Sequence, residues 1–517
     1  MLVLALAVRV WSVASSGGLT TTMGYDDGVY FAATNGLLHG VIPYRDFVIV
    51  HPPGIMLLGA GPVWLAHHVG FDDRSTFVVV RILFLALGLV NTALVHRAGR
   101  HLSPVAALLA GALYAVWLPM VREERTMLLE PVVALGTLAG LALVPPVSAR
   151  PLTGRWRPLI AGALAGIAMT TKIWAIAPVA VIAAGLVLAR RWRRATAYVG
   201  SVAVTATAVV GPFLLLAPHQ VLHMVVLDQL GRPQDGDSRI HRLQLMADDS
   251  PDILRQAAGG MARLRSVLHV PPMGMAPPPL GEGLVVLGIA AVTVGSVIAA
   301  RRYPLVRLWL ALVLVQGAVL LVVPTFFSGY PSFVGPAAVL VLAAIGHVAW
   351  TAARISKRAT RWALASAAAM TVAALGWSAG SMDLGTTVNR AAARLIGGAH
   401  CLATDDPVYL ALTDTLTSNL EHRCWPVADF TGEVYATAHP DRRGMHDTAL
   451  RRGSTQYQSF VLGYFDQADW ILIRRRHVDG LGPQVRAYLA GRELLHLPPA
   501  AVYGPPVPTL QPPAPGR

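Results

Sequence analysis

Runs of about 20 mostly apolar residues, the length a helix needs to cross a bilayer, recur along this chain and constrain its fold more than any other feature. About eleven stretches meet that criterion: Met1 to Ser15, Ser75 to Val95, Pro104 to Met120, Met127 to Val144, Leu159 to Thr171, Ile173 to Leu188, Ala195 to Leu216, Leu284 to Ala300, Leu305 to Val323, Gly335 to Trp350 and Trp362 to Gly380. Composition agrees, with 54% hydrophobic and 14% charged residues and a mean hydropathy of +0.53, values unlike those of a soluble globular domain. The first run is short, and Arg9 inside it must face protein or reach toward a headgroup. A cleaved signal peptide is the alternative, disfavoured because no basic segment precedes the apolar run. Gly54 to Val69 is apolar but rich in Gly, Pro and His, and reads as an interfacial or re-entrant helix. Gly162 and Gly166, four residues apart inside a run, suit close helix packing.

The net charge of +14 does not imply nucleic acid, because the basic residues cluster between apolar runs. Alternate connections carry Arg97 and Arg100; Arg150, Arg155 and Arg157; Arg190, Arg191, Arg193 and Arg194; Arg301, Arg302 and Arg307; Arg354, Lys357, Arg358 and Arg361. None of these turns holds an Asp or Glu. The positive-inside rule then sets the N-terminus and these turns in the cytoplasm of a multi-pass plasma (inner) membrane protein, and an odd number of spans sends the C-terminus outside. The external face receives residues 17–74, the Arg122-Glu123-Glu124-Arg125 turn, Lys172, the loop from Ala217 to Gly281 and the segment Phe326 to Tyr330.

The first of those external segments is the richest in chemistry. It reads MGYDDGVYFAATNGLLHGVIPYRDFVIVHPPG from Met23 to Gly54, with adjacent carboxylates Asp26 and Asp27, a short amphipathic helix, then Tyr44, Arg45, Asp46, His51 and a Pro52-Pro53-Gly54 turn. On spacing alone, a solvated loop between two membrane helices accounts for it as well as a catalytic one does.

That order of acidic pair, short helix, Pro-Tyr-Arg-Asp-Phe and His-Pro-Pro-Gly resembles the first external loop of the GT-C superfamily, integral-membrane glycosyltransferases that use polyprenyl-phosphate sugars. The likeness is greatest to the protein mannosyltransferase and aminoarabinose transferase branch, whose loop opens with Asp-Glu where this chain has Asp26-Asp27. The resemblance implies an α-helical polytopic membrane protein of about 11 transmembrane helices. It also implies transfer of a sugar from a polyprenyl-phosphate donor to a glycan, lipid or protein acceptor outside the membrane, without a covalent sugar-enzyme intermediate. Mannose or an arabinose-like sugar onto cell-envelope glycan fits, and protein O-mannosylation stays open. The external position of the polar segments independently favours a lipid-linked donor over a soluble nucleotide-sugar.

Glycosyl transfer needs a carboxylate to take the acceptor proton and cations to stabilise the departing phosphate. Asp26 holds the place where the resembled family carries its catalytic Asp; Asp27 either hydrogen-bonds sugar or fixes the loop. Lys172, in Thr170-Thr171-Lys172, resembles a Thr-Lys motif of the family and is the first candidate for the phosphate, with an interfacial anchor as the alternative. Arg232, Arg239 and Arg242 could close over a lipid phosphate by bidentate contacts or form a solvated face. Glu130, ionisable within an apolar run, is a functional candidate or the partner of Arg122 or Arg125. His51 either orients the donor or hydrogen-bonds loop backbone, and Tyr44, Arg45 and Tyr330 complete the candidates.

No metal constellation stands out in the sequence. A divalent cation held by Asp26 and Asp27 with distant acids, as in some GT-C enzymes, stays open, and no other cofactor is indicated. Walker, Rossmann and nucleophile-elbow motifs are missing from the sequence. A carrier or flippase of lipid-linked sugars is the alternative function, although a transporter would place polar, broken helices near the bilayer midplane.

Residues 1–380 thus read as the transmembrane domain and residues 381–497 as a small external α/β domain. Strands are expected at His400 to Asp405 and Trp470 to Arg474, and helices at Pro407 to Leu420 and Gln484 to Ala490. Cys401 and Cys424, the only cysteines in the chain, suit a disulfide in an oxidising exterior. Residues 498–517 are Pro-rich and read as an extended or disordered tail.

Overall fold

The computed structural model describes residues 1–145, 154–230, 239, 242, 279–327, 329–353, 386–388, 390–424, 428–433, 448–474, 480–497 and 500–506, with isolated positions between 362 and 369. Most of the expected apolar runs are helical: α1 (Leu2–Ser15), α4 (Asp73–Gly99), α5 (Pro104–Val116), α7 (Leu129–Leu143), α8 (Arg157–Thr171), α9 (Ile176–Leu188) and α10 (Trp192–Leu216), then helices Pro279–Arg302, Pro304–Val322 and Pro331–Ala353. Among the described residues, Asp73–Gly99, Trp192–Leu216, Pro304–Val322 and Pro331–Ala353 are long and apolar enough to cross a membrane, while α1, α5, α7 and the stretch Ile173–Leu188 are shorter apolar helices. The expected span Trp362 to Gly380 lies outside the described residues apart from isolated positions.

Two breaks differ from the sequence expectation. The run Pro104 to Met120 ends at Val116 and restarts as α6 (Leu118–Glu123), because Pro119 lacks an N–H and its ring would crowd the carbonyl one turn back. Lys172 separates α8 from a 3₁₀ turn, Ile173–Ala175, with an extended backbone (φ −141°, ψ 121°), so it sits at a discontinuity between helices.

Lipid tails are as apolar as Leu, so helices in a bilayer associate through close packing and internal polar bonds. Gly162 and Gly166 provide the first: a Cβ on Gly162 would lie 2.3 Å from the Tyr198 carbonyl oxygen, and one on Gly166 would lie 2.8 Å from Thr205 Cβ. The backbones of α8 and α10 meet there. Internal polar bonds come from Arg9, which is buried in protein and ion-paired with Glu124. Glu124 also accepts hydrogen bonds from Asn91 Nδ2 (3.0 Å) and the Tyr114 hydroxyl (2.9 Å).

The first loop is more enclosed than its sequence suggests. Strand β1 (Thr21–Thr22), paired antiparallel with β2 (Thr386–Thr387), leads into α2 (Asp26–Leu38), followed by α3 (Gly54–His68). Every residue of α2 from Asp27 to Gly36 is buried, so the helix is not amphipathic; it lies between α3 and helix Val408–Leu412. Helix α3 does expose one apolar side, with Leu57, Leu58, Trp64 and Leu65 accessible.

Toward the C-terminus a four-stranded sheet has the order β3 (Leu402–Thr404), β4 (Trp470–Ile473), β6 (Ala500–Pro506), β5 (Arg492–Leu497). Strands β3 and β4 are parallel, and the other neighbours antiparallel. Residues 500–506 therefore pair inside a sheet, where the sequence reading began a Pro-rich tail at 498; residues 507–517 lie outside the described residues. The expected helix Pro407 to Leu420 is two short helices, Val408–Leu412 and Leu416–Glu421, parted at Asp414, whose φ of +60° is a left-handed conformation that Asp tolerates better than most residues. Pro483–Ala490 forms close to the expected helix. Cys401 and Cys424 are joined by a disulfide with Cα atoms 5.9 Å apart; closing a loop of this size contributes about 3 kcal/mol.

Candidate functional site

The two carboxylates at the start of α2 have opposite surroundings. Asp27 is fully buried, and its Oδ2 accepts from Arg81 Nη2 (2.6 Å) and Nε (3.1 Å). Arg81 projects from α4, lies 4.1 Å above the Phe77 ring, and donates to the carbonyls of Leu19 (2.5 Å) and Thr21 (2.8 Å). This pairing of Asp27 with Arg81 ties the first turn of α2 to α4. Asp26 is exposed in the first helical turn, where the helix dipole favours an ionised carboxylate.

Some of the other candidates share one cleft beside α2. Lys172 Nζ pairs with Glu130 Oε1 at 2.5 Å and lies 4.1 Å from the Trp174 ring and 4.3 Å from the Tyr330 ring. Glu130 therefore pairs with Lys172, and not with Arg122 or Arg125, the partners given as the alternative to a functional role. Arg125 donates instead to Ser16 Oγ (2.7 Å) and the Ser12 carbonyl (3.3 Å). Lys172, Trp174 and Tyr330 line a cleft with His51, Pro52 and Gln229. His51 packs edge-on against Tyr30, with ring centroids 5.9 Å apart. Burial first, then the fields of Asp26, Glu130 and Asp429, hold the Tyr30 phenol well above its ordinary pKa.

Tyr44 supports the cleft from behind: its hydroxyl donates to the His51 carbonyl (2.7 Å), and its backbone has φ +69°. Arg45 points away, paired with Asp46 at 2.8 Å on the exposed surface, and this hydrogen-bonded partner holds the Asp46 carboxyl below its usual range. Arg242 is buried, donating to the carbonyls of Val323 and, at 2.8 Å, Pro324. It fastens the chain just before Tyr330 and does not line the cleft. Arg239 is exposed, and Arg232 lies outside the described residues.

Some nearby groups were not anticipated. Glu123, in α6, is buried, which together with the nearby Glu130 pushes its carboxyl well above the ordinary range. Burial likewise raises Glu433 to about 7, against a hydrogen bond from the Val48 backbone. Arg81 carried a usable signal, since an ionisable residue within a span calls for a partner. Among the described residues no three His, Cys, Asp or Glu side chains gather into a group that could hold a metal. Arg81 occupies only Oδ2 of Asp27, and the buried Oδ1 accepts no hydrogen bond.

No protein-family model and no curated protein sequence matches the chain. Among solved structures it resembles AglB, an oligosaccharyltransferase from Archaeoglobus fulgidus captured with an inhibitory peptide and a dolichol-phosphate, at 12% identity over 92% of this chain and 69% of that one, TM-score 0.51. The apo A. fulgidus oligosaccharyltransferase aligns at 13% identity over 91% and 69% of the two chains, TM-score 0.50. ArnT from Cupriavidus metallidurans, bound to undecaprenyl phosphate, aligns at 14% identity over 97% of both chains, TM-score 0.49.

Proposed function

From the GT-C fold of this chain, we propose that the protein is a membrane glycosyltransferase that moves a sugar from a polyprenyl-phosphate donor to an acceptor on the extracytoplasmic face. One arrangement carries the reading: an exposed carboxylate, Asp26, whose field reaches Tyr30, and a buried cation, Lys172, in a cleft with His51, the ring that packs on Tyr30. The dolichol-phosphate held by AglB supports a polyprenyl phosphate as leaving group. Mannose- and arabinose-like donors are the first to test, with glycan, lipid or protein as acceptor.

In the proposed step Asp26 takes the acceptor's hydroxyl proton as the oxygen attacks the anomeric carbon. The bond from that carbon to the phosphate oxygen breaks, and its electron pair leaves with the polyprenyl phosphate. Lys172 stabilises the charge that develops there, exchanging its Glu130 partner for phosphate oxygen. Residues 1–380 form the membrane part of this machine and the C-terminal α/β region covers it.

The deciding experiment is sugar transfer by the purified protein in nanodiscs, supplied with polyprenyl-phosphate mannose or arabinose. Labelled product is expected; translocation of the donor without cleavage would make the protein a carrier. Orientation is checked separately in the inner membrane. A reporter fused after Leu384 should be exported and one fused after Arg194 retained in the cytoplasm, because the arginine-rich turns stay inside. The reverse pattern would move the cleft to the wrong face for a flipped donor.

A further inference from the structure

We propose that Tyr25 is a positioning residue through which the segment 428–433 holds the first turn of α2, and with it Asp26, in working position. The inference rests on Asp26 being the base. The Tyr25 hydroxyl donates to Asp429 Oδ1 (3.0 Å) and accepts from the Thr431 amide (2.9 Å), joining residues 404 and 406 positions apart in sequence. Asp429 is itself oriented, because the same oxygen accepts from the Gly432 amide (2.9 Å).

Two further contacts fix the turn. A Cβ on Gly28 would fall 2.4 Å from the Val408 backbone nitrogen, so helix Val408–Leu412 rests directly on the α2 backbone. On another side Asp27 is tied to Arg81. The α4 end of this frame is fastened in turn, since Asp73 accepts from the Thr417 amide (2.8 Å) and hydroxyl (2.6 Å). From Tyr25 to Tyr30, Asp26 alone is exposed. A carboxylate that must meet an acceptor proton works only when held close to its productive geometry, and Tyr25, its immediate neighbour, transmits that restraint from the C-terminal region.

The test uses the full chain in nanodiscs with Tyr25→Phe, Asp429→Ala, the double variant and Asp429→Asn, which keeps an acceptor oxygen. Each of the first two should lower kcat about tenfold, the loss of one hydrogen bond to a charged group, with the donor KM unchanged. The double variant should be no worse than the poorer single, because both remove the same link. Asp429→Asn should recover most of the rate, and hydrogen exchange of the amides of residues 26–30 should quicken in Tyr25→Phe and Asp429→Ala. Unchanged kcat and exchange in Tyr25→Phe, or additive losses in the double variant, would overturn the proposal. If the wild type transfers no sugar, the base reading fails, yet the exchange measurement still decides whether this link holds α2.

Discussion

Asp26→Asn is expected to slow sugar transfer about 10²- to 10⁴-fold, the usual contribution of a general base, while donor binding persists. Asn keeps the size and much of the hydrogen bonding of the carboxylate but cannot accept the acceptor proton. The matching change at Asp27 should have a different character. Asp27 is fully buried against Arg81, so Asp27→Asn leaves a buried guanidinium without its counter-charge, a loss of about 3–5 kcal/mol. Transfer and donor binding measured beside thermal stability separate the two. Asp26→Asn should be stable and inactive, and Asp27→Asn should lose folded protein first. Full transfer by Asp26→Asn would remove it as the base.

The same comparison shows what could be read from the residues. The acidic pair was visible as a motif, but the burial of Asp27 was not, because it depends on Arg81, which lies 54 residues away inside a run that otherwise reads as a plain span. Glu130 and Lys172 were each identifiable as ionisable groups at the edges of apolar runs. Their pairing was not, since any of several external cations satisfied the same electrostatic requirement. The helices were legible because apolar length is a one-dimensional signal, and their breaks at Trp117 and Lys172 less so.

The C-terminal region was harder. Strand β6 lies between β4 and β5, but Pro498 and Pro499 before it and Pro505 and Pro506 at its end give it the composition of a tail. Pro505 and Pro506 lie past the residues paired with β4 and beside a register shift in β5, where a strand tolerates proline, so composition misled there and pairing decided. The enclosure of α2 was hidden for a related reason. Its covering surface, Val408–Leu412, comes from the other end of the chain, and no local periodicity records a contact at that separation.

The pairing of Lys172 with Glu130 sets the terms of the remaining large effect. Both side chains are almost fully buried, at 6% and 8% exposure, so Lys172→Met alone would strand the Glu130 carboxylate and destabilise the protein by about 3–5 kcal/mol. Loss of activity in that variant would then say little about the leaving group. Lys172→Met combined with Glu130→Gln removes both charges, and replacing a buried pair together is commonly near neutral for folding. The double variant should therefore fold, retain the aromatic walls of Trp174 and Tyr330, and still lose about 10²- to 10³-fold in kcat/KM for the polyprenyl-phosphate donor, the range found when one stabilising donor is removed from a developing oxyanion. Thermal melting and donor kinetics on the single and double variants provide the check. A well-folded double variant that uses donor as the wild type does would make Lys172 an anchor between α8 and α9, and the phosphate would need another cation.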